Sequence, residues 1–316
     1  MCSGCGSFMI VFLWLACNFS EEKTQTILQN KQTPIFVDLA GQNWQYPISS
    51  IGEEKEIMDP ELREGNRQYH EGEYKKSAEI IIPYIEEHPE DPNAHSILAA
   101  CFFRLGDFSQ AMKAAQKSIE YAPSVISYSN LGSILAGQGS IERAIDAYQK
   151  AREMDSKHFL PIRNLVTLYY RIENLSQAEE LLYELIKIDP TDSYGYVSLG
   201  QVLVEQKKWT EAEAVYRFRL EDLNTTPSDE RFLAGGLMLD LPLALANVLL
   251  HQKKYDEAEH YFIEMLSLTD TVQATWTTPN IYRKKAYIGL VELYMATKEK
   301  EKEQKIRQAL KKIQEQ

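Results

Sequence analysis

The chain has 316 residues and is acidic, with 46 Asp and Glu against 34 Lys and Arg. That balance argues against a broad electrostatic grip on nucleic acid and suits a well-solvated, exposed surface. Four cysteines, Cys2, Cys5, Cys17 and Cys101, offer neither a disulfide framework nor a zinc site, because the Cys2–Cys5 pair has no second pair to complete it.

Residues 1–17 carry no charge, and Phe8–Ala16 is an unbroken apolar run that ends in Leu15-Ala16-Cys17. The run is too short to cross a bilayer as a helix, which takes ~20 residues. It has the length of a signal-peptide apolar region. The segment resembles a bacterial lipoprotein signal. The resemblance implies that Cys17 is lipidated and becomes the mature N-terminus. Asn18 follows the cysteine, which by the same resemblance places the protein at the outer membrane, on the periplasmic side of the envelope. No basic region precedes the run, and Trp14 stands three residues before Cys17. A cleaved soluble signal, or an unprocessed terminus on a cytoplasmic protein, is the alternative. Residues 18–57 are mostly polar, with apolar spots around Ile35–Val37 and Trp44–Ile48, and read as a tether.

From Met58 onward one pattern returns. The stretch Pro92–Pro123 sets it out, with small residues at its positions 8 (Ala99) and 20 (Ala111), a bulky one at 17 (Phe108) and a closing proline at 32 (Pro123). Position 20 recurs as Ser77, Ala111, Ala144, Ala178, Ala212 and Ala258, at intervals of 34, 33, 34, 34 and 46 residues. Position 8 gives Gly65, Ala99, Gly132, Val166, Gly200 and Ala246. Position 17 gives Tyr74, Phe108, Ile141, Leu175, Trp209 and Tyr255. Pro89, Pro123 and Pro190 close units, and Ser156 stands where a fourth proline is expected.

Each unit divides into two apolar-periodic segments long enough for helices. Gly72, Gly106 and Gly139 lie between them, where a left-handed residue ends the first helix. Small residues at positions 8 and 20 allow a close helix crossing. A single pair cannot bury its apolar face alone, so the pairs must stack. These residues resemble the tetratricopeptide repeat family, whose units repeat every 34 residues with small side chains at 8 and 20. The resemblance implies an all-α, right-handed solenoid of about six to seven helix-turn-helix units with a C-terminal capping helix.

The units fall near residues 58–91, 92–124, 125–158, 159–191, 193–221, 239–270 and 282–316. The interval of 46 residues marks an insertion, and Leu223–Asp229 reads as its loop, with Ser228 or Asp229 a cap for the next helix. Pro242 predicts a kink or a helix start inside LMLDLPLALANVLL. A further loop holds Trp276 and Pro279, and Tyr282–Ala296 forms a helix. The tail from Lys298 carries Ile306, Leu310 and Ile313 as one apolar stripe on a solvated helix.

No catalytic pattern emerges. The six histidines are scattered, and no HExxH, GxSxG, GxxxxGK[ST] or GxGxxG is present. The sequence predicts a non-enzymatic protein without a cofactor or metal. Cys101, between Ala100 and Phe102, reads as a small buried apolar residue.

The family resemblance assigns the first helix of each unit to a concave face that grips a protein or peptide partner. It implies a groove lined by Arg63, Asn66, Arg104, Asn130, Arg163, Asn164, Tyr170 and Arg171, continued by residues such as Gln201, Asp240 and Asn247. Asn130 and Asn164 share position 6 of successive units. A side-chain amide there can donate to and accept from a peptide backbone. The arginines suit carboxylates or pair with acids of adjacent units. The chaperone-binding members carry lysine at position 5 of the first unit, and here that position is Leu62. The expected function is an adaptor anchored at a bacterial envelope membrane. The alternative is a soluble co-chaperone or regulatory adaptor.

Overall fold

The structure is a computed structural model that describes residues 59–225, 237–271 and 279–314. The expected cap at Ser228 or Asp229, Trp276 and the whole N-terminal segment lie outside the described residues. Among the described residues there are fourteen helices and no strand. They run α1 (Pro60–His70), α2 (Tyr74–Glu87), α3 (Pro92–Arg104), α4 (Phe108–Tyr121), α5 (Val125–Gly137), α6 (Ile141–Met154), α7 (Phe159–Arg171) and α8 (Leu175–Ile188). There follow α9 (Ser193–Glu205), α10 (Trp209–Thr225), α11 (Leu237–His251), α12 (Tyr255–Thr271), α13 (Pro279–Thr297) and α14 (Lys300–Gln314). The fold is all-α and built from helix pairs. The helices group into two compact units, α1–α8 and α9–α14.

Helix starts are capped by short polar side chains. Asp91 accepts from the amides of Asn93 (2.8 Å) and Ala94 (3.2 Å), with Pro92 at the first helical position. Asp107 caps α4 through the Gln110 amide. Ser124 and Ser127 form a reciprocal capping box on α5. Helices α2, α4 and α8 each stop two residues before the expected proline. Helix α6 stops at Met154, two residues before Ser156. A serine at that position therefore gives the same helix length as a proline.

The turn inside each pair is one motif repeated seven times. Beyond α3 the Gly106 amide reaches the Phe103 carbonyl (3.1 Å) and the Asp107 amide reaches that of Phe102 (2.9 Å), the two bonds of a Schellman end. The left-handed residue is glycine in the first three pairs, at Gly72, Gly106 and Gly139 (φ 77 to 83°). In the last four it is Glu173, Lys207, Lys253 and Lys298 (φ 54 to 64°). The paired bonds persist there: the Lys254 amide bonds the Leu249 carbonyl at 2.9 Å and the Glu299 amide that of Tyr294 at 2.9 Å. The tertiary fold imposes this turn even where the residue resists it.

Position 8 faces position 24 across each pair. A Cβ on Gly132 would lie 2.5 Å from Tyr148, one on Gly200 2.2 Å from Tyr216, and one on Gly65 2.4 Å from Ile81. Tyr148, Tyr216 and Ile81 are themselves fully buried. In the second pair Ala99 and Ala115 are both alanine and both buried. The helices therefore pack close, and a ring on one occupies the missing side chain of the other.

Within α1–α8, each first helix touches the first helix of the next pair: α1 against α3, α3 against α5, α5 against α7. The second helices of successive pairs make no comparable contact. The first helices thus line the inner side of this unit. In the second unit α9, α11 and α13 adjoin in the same way.

Two sequence-based expectations need correction. Leu223, Asn224 and Thr225 are not loop but the last turn of α10. Pro242 does not begin a helix: α11 starts at Leu237 and carries the proline inside. Pro242 is the sixth residue of that helix, so its ring removes the bond that an amide there would make to the Met238 carbonyl. Helix α14 lies on α13 with Ile306, Leu310 and Ile313 half-buried. No helix among the described residues is long and apolar enough to cross a membrane.

Gly132→Ala should destabilise the chain by about 1–3 kcal/mol through overpacking against Tyr148. Urea unfolding of Gly132→Ala, Tyr148→Leu and the double variant checks it. The double should cost less than the two singles together, because the smaller side chain makes room for the new methyl.

Candidate functional site

The inner side of α1–α8 is polar. Arg63 is exposed on α1 and Arg171 is exposed at the end of α7. Tyr170 is half-buried. Arg104, at the end of α3, donates from Nε to the Tyr69 hydroxyl (3.3 Å). Its guanidinium lies 5.6 Å from the centre of the Tyr74 ring. Arg104 is thus oriented by two tyrosines of the preceding pair. Burial raises the Tyr69 hydroxyl pKa, and the nearby guanidinium opposes that rise. Arg163 covers the Phe159 ring of its own helix at 4.7 Å.

The two asparagines at position 6 behave differently. Asn130 is half-buried and donates from Nδ2 to the Ser96 carbonyl (3.3 Å), tying α5 to α3. Asn164 is 2% exposed, and its Oδ1 has no hydrogen-bond partner. Asn66 Oδ1 and Ser129 Oγ are also buried without a partner. Three first helices, α1, α5 and α7, therefore each hold a polar atom whose hydrogen-bonding capacity the chain leaves unspent. Such a group costs about 1–3 kcal/mol unless something satisfies it.

The inner side of the second unit holds a cleft of about 230 Å³. Val197 and Gln201 come from α9, Asp240, Leu243, Ala244 and Asn247 from α11, and Lys285, Ile288, Gly289 and Glu292 from α13. The sequence reading placed Gln201, Asp240 and Asn247 on this face and missed Lys285 and Glu292. The α13 pattern is out of phase with the 34-residue count, so its face could not be assigned from spacing. Asn247 turns its Nδ2 to the Leu243 carbonyl of its own helix (2.8 Å).

Asp240 is the unusual group. Loss of water around its carboxyl pushes its pKa up to about 6, against a hydrogen bond from Tyr282 and the charge of Lys285. Burial raises the Tyr282 hydroxyl pKa, and the Asp240 charge and the same hydrogen bond add to the rise. The Lys285 ammonium lies 5.8 Å from the centre of the Tyr282 ring. Nearby, the Tyr216 hydroxyl is buried without a hydrogen-bond partner, and its pKa rises through burial with the Asp240 charge adding to it. The counterpart at the same repeat position, Tyr148, shares a hydrogen bond with Ser133 (3.1 Å). Among the described residues no group of His, Cys, Asp and Glu could hold a metal ion.

Models described as tetratricopeptide repeat match residues 62–125, 102–158, 135–196 and 243–269. The chain is 33% identical over 100 residues to Hsp70-Hsp90 organizing protein 2 of Arabidopsis thaliana, covering 31% of this chain and 18% of that one. It is 23% identical over 132 residues to the BBSome complex member BBS4 of Bos taurus, covering 42% of this chain and 25% of that one. The chain thus spans a quarter or less of the length of these relatives. Among solved structures it is similar to the C-terminal part of a TPR repeat-containing protein from Cytophaga hutchinsonii, with a TM-score of 0.59 and 16% identity over 79% of this chain and 93% of that one. It is also similar to pilF of Pseudomonas aeruginosa, with a TM-score of 0.52 and 18% identity over 70% of this chain and 91% of that one. Both likenesses concern the fold.

Asp240→Asn should raise the melting temperature at pH 8, and the gain should shrink as the pH falls towards 4. The sign follows from a folded-state pKa above the unfolded one. The ionised carboxylate costs stability above pH 6, and the cost vanishes once the group is protonated in both states. The gain at pH 8 should be about 2 kcal/mol. Calorimetry of both proteins across that range checks it.

Proposed function

The chain belongs to the tetratricopeptide repeat family, and from that premise we propose that it is an adaptor that holds an extended segment of a partner protein along its inner faces. The observation that carries the reading is Asn164, an amide buried on a first helix whose oxygen the chain itself leaves unsatisfied. The oxygen is enclosed as placed, so the side chain must turn towards the inner face before a backbone N–H of a bound segment completes it. Arg63, Asn66, Arg104, Asn130, Arg163, Tyr170 and Arg171 belong to the same proposed surface. The exposed arginines favour acidic or carboxylate-bearing partners. Tetratricopeptide repeats are a scaffold for binding, and the absence of a catalytic motif in the sequence supports a non-enzymatic role.

The adaptor is further proposed to be tethered to a bacterial envelope membrane through Cys17, at the outer membrane and facing the periplasm. The support is the Phe8–Ala16 run ending at Cys17 and followed by a polar tether. Stable anchoring takes more than one acyl chain, which lipidation of an N-terminal cysteine would provide. The alternative, a soluble co-chaperone, draws on the likeness to Hsp70-Hsp90 organizing protein 2. Against a clamp for chaperone tails stands Leu62, which occupies the position for its lysine and is buried in the core of the first pair.

Asn164→Ala should weaken capture of the partner several-fold while leaving the melting temperature equal or higher, since no internal hydrogen bond is lost. Asn130→Ala should lower stability by about 1 kcal/mol, because it breaks a helix-to-helix bond. Affinity purification followed by mass spectrometry identifies the partner, and undiminished capture by the double variant would rule this face out.

Growth with labelled palmitate should mark the full-length chain, and Cys17→Ala should abolish the label. Label that survives the substitution, or none on the wild type, would remove the anchor.

A further inference from the structure

We propose that the cleft between α9, α11 and α13 is a specificity pocket for a lysine or arginine side chain of the bound partner, with Asp240 as the counter-ion. This rests on the adaptor reading and assigns one subsite within it. The cleft joins two kinds of surface. Val197, Leu243, Ala244 and Ile288 give it apolar walls, and Asp240 and Glu292 give it two carboxylates against the single ammonium of Lys285. An apolar wall with a carboxylate beyond it matches the build of lysine and arginine, which carry an aliphatic stem and a cationic head. A fully apolar side chain would leave the carboxylate buried without compensation. An acidic one would meet two like charges.

The polar groups around Asp240 are arranged to be completed. The carboxylate takes one hydrogen bond from Tyr282, and an ionised carboxylate has acceptor sites for several more. The Tyr216 hydroxyl, which feels the Asp240 charge, is buried without a hydrogen-bond partner. An ammonium or guanidinium group placed in the cleft would donate to Asp240. Tyr282 and Lys285 of α13 act on Asp240, Tyr216 of α10 feels its charge, and Glu292 of α13 lines the same cleft. The residues that α9 contributes to the cleft, Val197 and Gln201, carry no charge. Lys285 leans over the Tyr282 ring and is the resident competitor for the carboxylate. An incoming cation must displace its influence, so removal of Lys285 strengthens the pocket. Because Asp240 titrates near pH 6, the preference for a cation is present at pH 7.5 and fades by pH 5.

The experiment uses the full chain and four capped pentapeptides, acetyl-Ala-Ala-X-Ala-Ala-amide, with X lysine, arginine, norleucine or glutamate. Binding is followed by NMR titration at pH 7.5 and pH 5. The lysine or arginine peptide should bind at least five-fold more tightly than norleucine at pH 7.5, glutamate weakest, and the advantage should fall below two-fold at pH 5. Asp240→Asn should abolish the advantage, and Lys285→Ala should enlarge it. The pH arm needs no substitution, so it stands even if a variant fails to fold. Norleucine binding as well as lysine, or a cation preference that survives Asp240→Asn, overturns the pocket while leaving the adaptor reading intact. No measurable binding of any of the four overturns the pocket too, and the Asn164→Ala capture assay then judges the adaptor reading separately. Equal affinity for free putrescine would overturn the assignment to a partner's side chain.

Discussion

The close crossing of the two helices within each pair is the constraint on which the structure depends. Two helices can approach this far only if one gives up a side chain where the other presses inward. The repeat meets that requirement by exchange across positions 8 and 24. Glycine faces isoleucine or tyrosine at Gly65–Ile81, Gly132–Tyr148 and Gly200–Tyr216, while the second pair uses alanine on both sides. The exchange is not uniform along the chain: the fourth pair carries Val166 and Leu182 at these positions, both buried. The same close approach draws the first helices of neighbouring pairs together and sets the inner face of each unit.

That constraint explains which features were legible in the sequence. Small residues at fixed intervals are visible without a structure, because Gly, Ala and Ser fill most of the close contacts, with Val166 the departure. The intrapair turns were legible where glycine marks them, at Gly72, Gly106 and Gly139. They were less so at Glu173, Lys207, Lys253 and Lys298, which adopt the same left-handed turn because the packing of both helices over-determines it. Proline was read as the end of the second helix, yet Ser156 serves as well. Pro242 lies inside α11 at its sixth residue and does not start the helix, which continues past it with one backbone hydrogen bond fewer. The α10 end was read as loop from its Asn-Thr-Thr-Pro composition, and the helix continues through Thr225.

The inner faces were harder to read, because a groove residue is defined by what it does not touch. Position 6 looked equivalent at Asn130 and Asn164, and the structure separates them. One amide joins α5 to α3, and the other is left with an unsatisfied oxygen. The second cleft draws its walls from three helices, α9, α11 and α13, whose spacing departs from the 34-residue count. Gln201 and Asp240 could be placed by counting. Lys285 and Glu292 could not, since α13 begins 42 residues after α11 begins, later than a 34-residue step would place it.

Comparing the two buried tyrosines at position 24 shows how the same framework serves stability in one place and leaves capacity in another. Tyr148 fills the space over Gly132 and its hydroxyl is answered by Ser133, one residue beyond that glycine. Tyr216 fills the space over Gly200 in the same way. There the residue after the glycine is Gln201, and the hydroxyl goes unanswered. A serine at 201 would be the simple structural remedy, and the repeat shows that the remedy is available. The orphan hydroxyl lies beside Asp240, a carboxylate that loses stability by being ionised in the cleft. Two costly polar groups at one spot, where a solved variant of the same geometry exists in the fifth helix, are a local departure from the packing rule. Of the two, Asp240 lines the cleft, where a partner's cation can supply its counter-charge, while the Tyr216 hydroxyl stays enclosed.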